Sequence, residues 1–193
     1  MIDAELFGGK RAYAAHLRAR VLYAFGSYRS AENIVWGAIA RLVFVCHGNI
    51  CRSPYASERA RSLGINSVSF GLNASGGMHA DESASRNALL RGIDLTIHRS
   101  SLLQASLLAR GDLVVVFEPW QLARVRQRSI AGLAGITLLG IWAQPTQPHV
   151  HDPYGRSDRY FQRCFSTIDR NVQGLVTRIV ASKAPAIGSC ASR

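Results

Sequence analysis

One cysteine and one arginine stand six residues apart in the segment VFVCHGNICRSP, residues 43–54, where an apolar run meets the start of a helical pattern. A turn of successive backbone N–H groups at a helix N-terminus makes a preorganised nest for an anion, reinforced by the positive end of the helix dipole. Gly48 and Asn49 suit such a bend, because glycine takes positive φ freely and asparagine is among the few other residues that tolerate it. Cys46 would lie at the bottom of the nest, where the N–H groups, the dipole and Arg52 all favour its thiolate, the nucleophilic form. Arg52 brings a planar fork of donors that holds two oxygens of a phosphate and follows their charge into the transition state. Ser53 can donate its hydroxyl to the sulfur, which matters most when the thiolate departs. His47, Gly48, Asn49, Ile50, Cys51 and Ser53 complete the expected phosphate-binding loop, with His47 and Ile50 at the substrate pocket.

Phosphate ester cleavage also needs a proton for the leaving oxygen, and Asp152, held in a stiff loop by Pro153, is the candidate acid. Tyr154 is expected to line the pocket wall and meet the substrate ring. A second cysteine and arginine at the same spacing, Cys164 to Arg170, lack glycine, turn and preceding strand, and read as helix interior. His149 and His151 beside Asp152 suggest a metal site only if further ligands converge, and the chemistry proposed needs none. No metal and no cofactor are expected.

The elements that must position these groups begin at Arg41. The run LVFVC is of the kind buried on both faces of a sheet, and further strands are expected over Ser67 to Phe70, Leu113 to Phe117 and Ile136 to Leu139. Helical stretches are expected near 53–63, 82–92, 100–109, 119–129 and 157–182. This alternation predicts an α/β, doubly wound, mostly parallel sheet with its ligand at the carboxyl ends of the strands.

The loop Cys46-His-Gly-Asn-Ile-Cys-Arg-Ser-Pro54 and the tripeptide Asp152-Pro153-Tyr154, about a hundred residues downstream, together resemble the two signatures of the low-molecular-weight protein tyrosine phosphatases. The resemblance runs from about Leu42 to about Val176. It implies a four-stranded, flavodoxin-like parallel sheet flanked by helices, and hydrolysis of phosphotyrosine-type aryl phosphates through a phosphocysteine. Asp152 would act first as acid and then as base for water. It further implies that Ser69 and His98 brace Asn49, and it matches Glu118 to an acidic position of the family, which reads equally well as a solvated helix cap. Two departures concern substrate preference: Ser57 stands where the family usually has glutamate, and the loop Gly71 to Gly77 has no aromatic wall. The rival readings are a thioredoxin-coupled arsenate reductase, which requires two further cysteines close together in a mobile segment, and a module that binds phosphotyrosine without cleaving it.

The chain of 193 residues fits one domain at 41–184, preceded by a helical extension at 1–40 and followed by a flexible tail at 185–193. In the extension Tyr13, Leu17, Val21 and Phe25 recur four apart among arginines, predicting an amphipathic helix that packs on its own domain or on a twin subunit, the latter giving a homo-oligomer, or else lies on a membrane surface or a partner. The extension carries no catalytic candidate. The net charge of +11 favours anionic partners, yet no RNA-binding signature, basic zipper or zinc-finger spacing is present, so nucleic acid is not expected. Four cysteines are too few for the disulfide framework of a small secreted domain, and neither a signal peptide nor a membrane span is evident. A cytoplasmic enzyme acting on phosphotyrosine-bearing proteins is expected, a bacterial tyrosine kinase among them. Cys51, five residues after Cys46, is the candidate redox partner of the nucleophile.

Overall fold

The computed structural model describes residues 8–127 and 131–183. Four parallel strands, β1 Arg41–Cys46, β2 Ser67–Gly71, β3 Asp112–Val116 and β4 Gly135–Leu138, form one sheet in the order β2-β1-β3-β4. The expected fold class and all four strands are therefore present. From Leu42 to Cys46 β1 is buried, and all of β3 is, because both lie inside the sheet with their two faces covered. The described helices are α1 Lys10–Ala24, α2 Arg52–Ser62, α3 Glu82–Leu89, α4 Pro119–Arg126 and α5 Asp158–Lys183.

Local chemistry sets the helix starts. Pro54 lies in the first turn of α2, where its missing N–H would have had no partner. Asp81 caps α3 by accepting from the Ala84 N–H at 3.0 Å. Glu118 and Gln121 form a capping box around Pro119 at the start of α4. Helix α5 buries Phe161, Phe165, Ile168, Val172, Leu175 and Ile179, spaced three or four apart along one stripe. It meets α2 through Tyr55, whose ring stacks on Phe165 at 3.8 Å and whose hydroxyl donates to Asp169 at 2.7 Å. Cys164 and Arg170, the discounted pair, lie inside this helix.

Two local expectations fail. Residues 100–109 form no α-helix; only a single 3-10 turn occurs, at Ala105–Leu107. Because β2 is an edge strand, its terminal Gly71 needs backbone partners. Residues 101–103 supply them, Gly71 donating to Ser101 at 2.9 Å and Leu103 to Gly71 at 2.8 Å. The second concerns α1, whose expected apolar face does not pack on its own domain. Leu17, Val21 and Phe25 are 48%, 47% and 83% exposed, while Ala12 and Ala19 are buried. Just before α1, Gly8 lies close to the loop at 145–151 and to α5, since a Cβ there would stand 2.8 Å from His151 Nδ1 and from the Tyr160 hydroxyl. Beyond the helix the chain enters the core at Ala31 and Ile39, and Val35 and Ala40 donate to Ala134 and Gly111, both at 2.8 Å.

Candidate active site

The segment 46–51 leaves the carboxyl end of β1 and curls back on itself before α2 begins. Asn49 has φ 57°, the one positive value among the described non-glycine residues; Gly48 is not left-handed. The bend therefore falls on one of the two residues expected to make it. Its curl brings the Asn49 N–H to 3.3 Å from Cys46 Sγ, and the Ser53 hydroxyl to 3.0 Å from the same sulfur. Asn49 is fully buried and tied on every side. Its amide donates to Ser53 and Ser69, both at 2.9 Å, its side-chain oxygen accepts from Ser101 N–H at 2.8 Å, and its carbonyl lies 2.7 Å from His98 Nε2. Burial lowers the pKa of His98 from the usual histidine value, against the raising effect of that bond to Asn49.

The loop after β2 braces the turn from outside. Leu72 and Asn73 donate to the carbonyls of Cys46 and His47, both at 2.9 Å. Gly71 is required for this approach, because a Cβ there would come within 2.8 Å of the His47 carbonyl and 3.0 Å of the Asn49 nitrogen. Ser57, where the family usually has glutamate, is buried and bonds Ser67 at 3.1 Å.

Arg52 is fully buried. Its Nη1 donates to Glu118 at 2.5 Å and to the Val150 carbonyl at 2.9 Å, and its Nη2 donates to Asp152 at 2.6 Å. Nε is buried with no partner. The Phe117 ring lies 5.6 Å from the guanidinium carbon, a cation–π contact. Burial would lower the pKa of Arg52, but the carboxylates of Asp152 and Glu118 outweigh it and raise it. Glu118 is correspondingly acidic. Burial would raise its pKa, but His149 and Arg52 hold it at about 2. His149 Nε2 lies 3.2 Å from the second Glu118 oxygen. Thus Glu118 caps α4 and also anchors Arg52, and its place at the carboxyl end of β3 was the signal for the second role.

Asp152 comes from a loop far along the chain. Val150 donates to the Phe117 carbonyl at 2.8 Å, which lashes this loop to the end of β3. Upstream, the chain folds tightly over α5, with Gly174 against the Trp142 carbonyl and Gly140 against that of Gln147, contacts that leave no room for a Cβ. Asp152 and Tyr154 then line a cavity of about 130 Å³ with Cys46, His47, Gly48, Ile50 and Cys51. Tyr154 is 60% exposed at its mouth, and Trp120, not singled out in the sequence, sets its ring 5.9 Å from that of His47. His149 and His151 are drawn away from one another's ligand geometry: His149 bonds Glu118, and His151 Nδ1 lies 3.0 Å from the Tyr160 hydroxyl. Among the described residues no group of three or more potential ligands could hold a metal ion.

A cysteine, a fully buried arginine and an aspartate meet beside the carboxyl ends of parallel strands, and comparison with known proteins gives the class. The family profile for low molecular weight phosphotyrosine protein phosphatases matches residues 41–184. A probable low molecular weight protein-tyrosine-phosphatase, EpsP of Ralstonia nicotianae, is 34% identical over 145 residues, spanning 74% of this chain and 98% of its own. Etp of Escherichia coli K12, a low molecular weight protein-tyrosine-phosphatase, is 29% identical over 140 residues, or 72% of this chain and 93% of its own. The crystal structure of the tyrosine phosphatase AmsI of Erwinia amylovora superposes with TM-score 0.66 at 29% identity, covering 72% of this chain and 92% of that one. The chain belongs to the low molecular weight phosphotyrosine protein phosphatase family and is a protein-tyrosine-phosphatase. Among the described residues no helix is long and apolar enough to cross a membrane.

Proposed function

We propose that the protein hydrolyses phosphotyrosine-type aryl phosphate monoesters through a phosphocysteine at Cys46, acting on phosphotyrosine-bearing proteins. The observation that carries this reading is the convergence on one sulfur: Asn49 N–H at 3.3 Å, Ser53 at 3.0 Å, and Asp152 and Tyr154 on the wall of the same cavity. Cys46 Sγ attacks phosphorus, and the bond to the aryl oxygen breaks as Asp152 gives that oxygen its proton. The N–H groups of residues 47–52 and the Arg52 fork take up the equatorial oxygens. Asp152 then removes a proton from water as the water attacks phosphorus. Inorganic phosphate leaves, Cys46 returns to thiolate supported by Ser53, and Asp152 is again protonated.

In the resting site Arg52 holds Asp152. An arriving phosphate takes over that guanidinium, and its unpartnered Nε offers a further donor. Freed from the guanidinium, Asp152 takes up a proton from solvent and turns toward the leaving oxygen as its acid. Asp152→Asn is expected to lower kcat by about 10²- to 10⁴-fold for phosphotyrosine, the range of general acid catalysis, and far less for an activated phenol that departs without help. Rates across a series of substituted phenyl phosphates read this directly; an equal loss throughout would remove Asp152 from the acid role. The phosphatase reading is favoured over an arsenate reductase because Cys164, one of the two remaining cysteines, is buried within α5, where burial pushes its thiol to about 12. Cys190 lies outside the described residues.

The cytoplasm is the proposed setting, supported by three free cysteines among the described residues. A bacterial tyrosine kinase is the proposed protein substrate. A homo-oligomer, if it forms through α1, would use the exposed Leu17, Val21 and Phe25. The segment 185–193, expected to be a flexible tail, lies outside the described residues.

Cys51 is proposed as the resolving thiol. It is buried, and that burial, with Asp152, Asp81 and Cys46 nearby, raises its pKa far above the usual range, so it waits as a neutral thiol. Peroxide oxidises the Cys46 thiolate to a sulfenic acid; the Cys51 thiol displaces its oxygen as water and closes a disulfide, which dithiothreitol reopens. After peroxide and then dithiothreitol, wild type is expected to regain most of its activity and Cys51→Ser much less. Equal recovery would reduce Cys51 to a packing residue.

A further inference from the structure

Helix α1 is apolar on two opposite faces. Leu17, Val21 and Phe25, four apart, share one stripe, and all three are exposed. Ala19 stands two positions from both Leu17 and Val21, roughly 200° away round a helix of about 3.6 residues per turn, and it is buried together with Ala12. Tyr23, four residues after Ala19, packs against the core. One face therefore joins the helix to the phosphatase domain, and the other is open to solvent.

Basic residues border the open stripe on both sides. Arg11 and Arg18, seven apart, follow one edge, Arg20 lies on the other, and Lys10 continues the stripe two turns before Leu17; all four are exposed. The helix contains no Asp or Glu. The next acid along the chain, Glu32, accepts from the Tyr23 hydroxyl at 2.8 Å. Among the described residues none of these four cations forms a salt bridge. Large apolar side chains between long basic ones complement a surface of anionic headgroups over hydrocarbon, because the apolar groups and the basic stems enter the boundary while the charged ends stay among the phosphates. A second copy of the chain suits the face less well: two such helices face to face would bring like charges together, with no acid on either to pair them.

We propose that the outer face of α1 docks the protein on an anionic lipid surface, with Leu17, Val21 and Phe25 entering the headgroup boundary and Lys10, Arg11, Arg18 and Arg20 pairing with lipid phosphates. At 15 residues with four cations, α1 lies along a bilayer rather than across it. Apolar insertion and charge attraction act together, so neither alone accounts for the binding, and salt weakens it by screening the second. The docking face precedes the segment 41–184 that matches the phosphatase family, and it contains none of the catalytic groups. Bound in this way, the enzyme would work beside proteins held at the same surface, a consequence that rests on the proposed reaction; the docking itself does not.

The test is cosedimentation of the full chain with vesicles of phosphatidylcholine alone and of phosphatidylcholine mixed with phosphatidylglycerol. Saturable binding to the mixed vesicles, weakening as salt is raised, is expected, with none to phosphatidylcholine alone. Arg18→Gln/Arg20→Gln should weaken that binding by about tenfold or more, since each basic side chain near an anionic surface is worth about fivefold. Leu17→Gln/Val21→Gln/Phe25→Gln should weaken it at least as much, through lost insertion. Arg110→Gln/Arg124→Gln, which removes two exposed charges elsewhere, should leave it nearly unchanged, and turnover of an aryl phosphate in solution should be the same in all three variants. Wild type that ignores the mixed vesicles would overturn the proposal. An equal loss in the Arg110/Arg124 variant would do so too, by reducing the binding to overall charge. Binding to poly-glutamate as tight as to the vesicles would assign the face to an acidic protein instead, and self-association abolished by the triple variant, without vesicle binding, would assign it to a second copy. Docking is read on vesicles with no substrate present, so its failure is separable from failure of the proposed reaction.

Discussion

Cys46→Ser is expected to fold normally and to lose hydrolysis of aryl phosphates by something on the order of 10⁶-fold in kcat, the scale on which an enzyme loses its nucleophile. The replacement is nearly isosteric. An oxygen in place of Sγ can still accept from the Asn49 N–H and bond Ser53, so the loop keeps its shape and its affinity for oxyanions. What is lost is the sulfur proposed to attack phosphorus. A serine hydroxyl keeps its proton near neutrality and has no adjacent base, because Asp152 is engaged by Arg52 and assigned to the leaving group. Initial rates on a phenyl phosphate, with oxyanion affinity measured on the same variant, check both halves. Full activity in this variant would sink the mechanism. Loss of oxyanion affinity together with turnover would point to a collapsed loop.

Glu118→Gln is expected to destabilise the fold by an amount that depends on pH. The carboxyl is nearly buried, bonded to Arg52 and His149, with its pKa held at about 2 against an ordinary 4.5. A carboxyl whose pKa is depressed on folding contributes stability that is fully present above its unfolded value. That contribution is lost as pH falls through the folded value. The shift corresponds to something on the order of 3 kcal/mol at 1.36 kcal/mol per pKa unit, in line with the cost of removing one partner from a buried ion pair. Urea unfolding of the two proteins at pH 7 should show this difference, and it should shrink steadily between about pH 4.5 and pH 2. A difference independent of pH would mean that lost packing, not lost charge, is responsible. Turnover should fall too, since Arg52 would keep Asp152 and the Val150 carbonyl but lose an anchor that fixes its fork.

Legibility in the sequence followed chain distance. Cys46, Asn49, Arg52 and Ser53 lie within eight residues, and their contacts arise from one turn at the end of a buried strand, so residue types and spacing sufficed to place them together. The strands were legible because runs such as LVFVC and LVVV are apolar on both faces, a pattern that only an inner position in a sheet accommodates. Asp152 and Tyr154 were found by a tripeptide rather than by geometry. Their arrival beside Cys46 depends on Val150 pairing with Phe117 and on the close packing at Gly140 and Gly174.

Other features belong to the tertiary structure alone. Residues 100–109 have helical periodicity, but the open edge of β2 needs backbone partners, and that demand outweighs a weak local preference. In α1 Leu17, Val21 and Phe25 point outward, while Ala12 and Ala19 are the residues of the helix that the fold buries and Tyr23 packs against the core. Glu118 offered two readings from sequence; in the fold it both caps α4 and anchors Arg52, but it is buried rather than solvated. The chain of His149, Glu118 and Arg52 joins residues separated by 31 and 66 positions, each with ordinary roles in isolation. Sequence determined which groups could do the chemistry, because nucleophile and phosphate nest are built by one contiguous turn. Which groups hold Arg52, and what lies behind them, was decided only when the loop at 145–151 was pinned between α1, α5 and the end of β3, since electrostatic pairing depends on distances that no local pattern encodes.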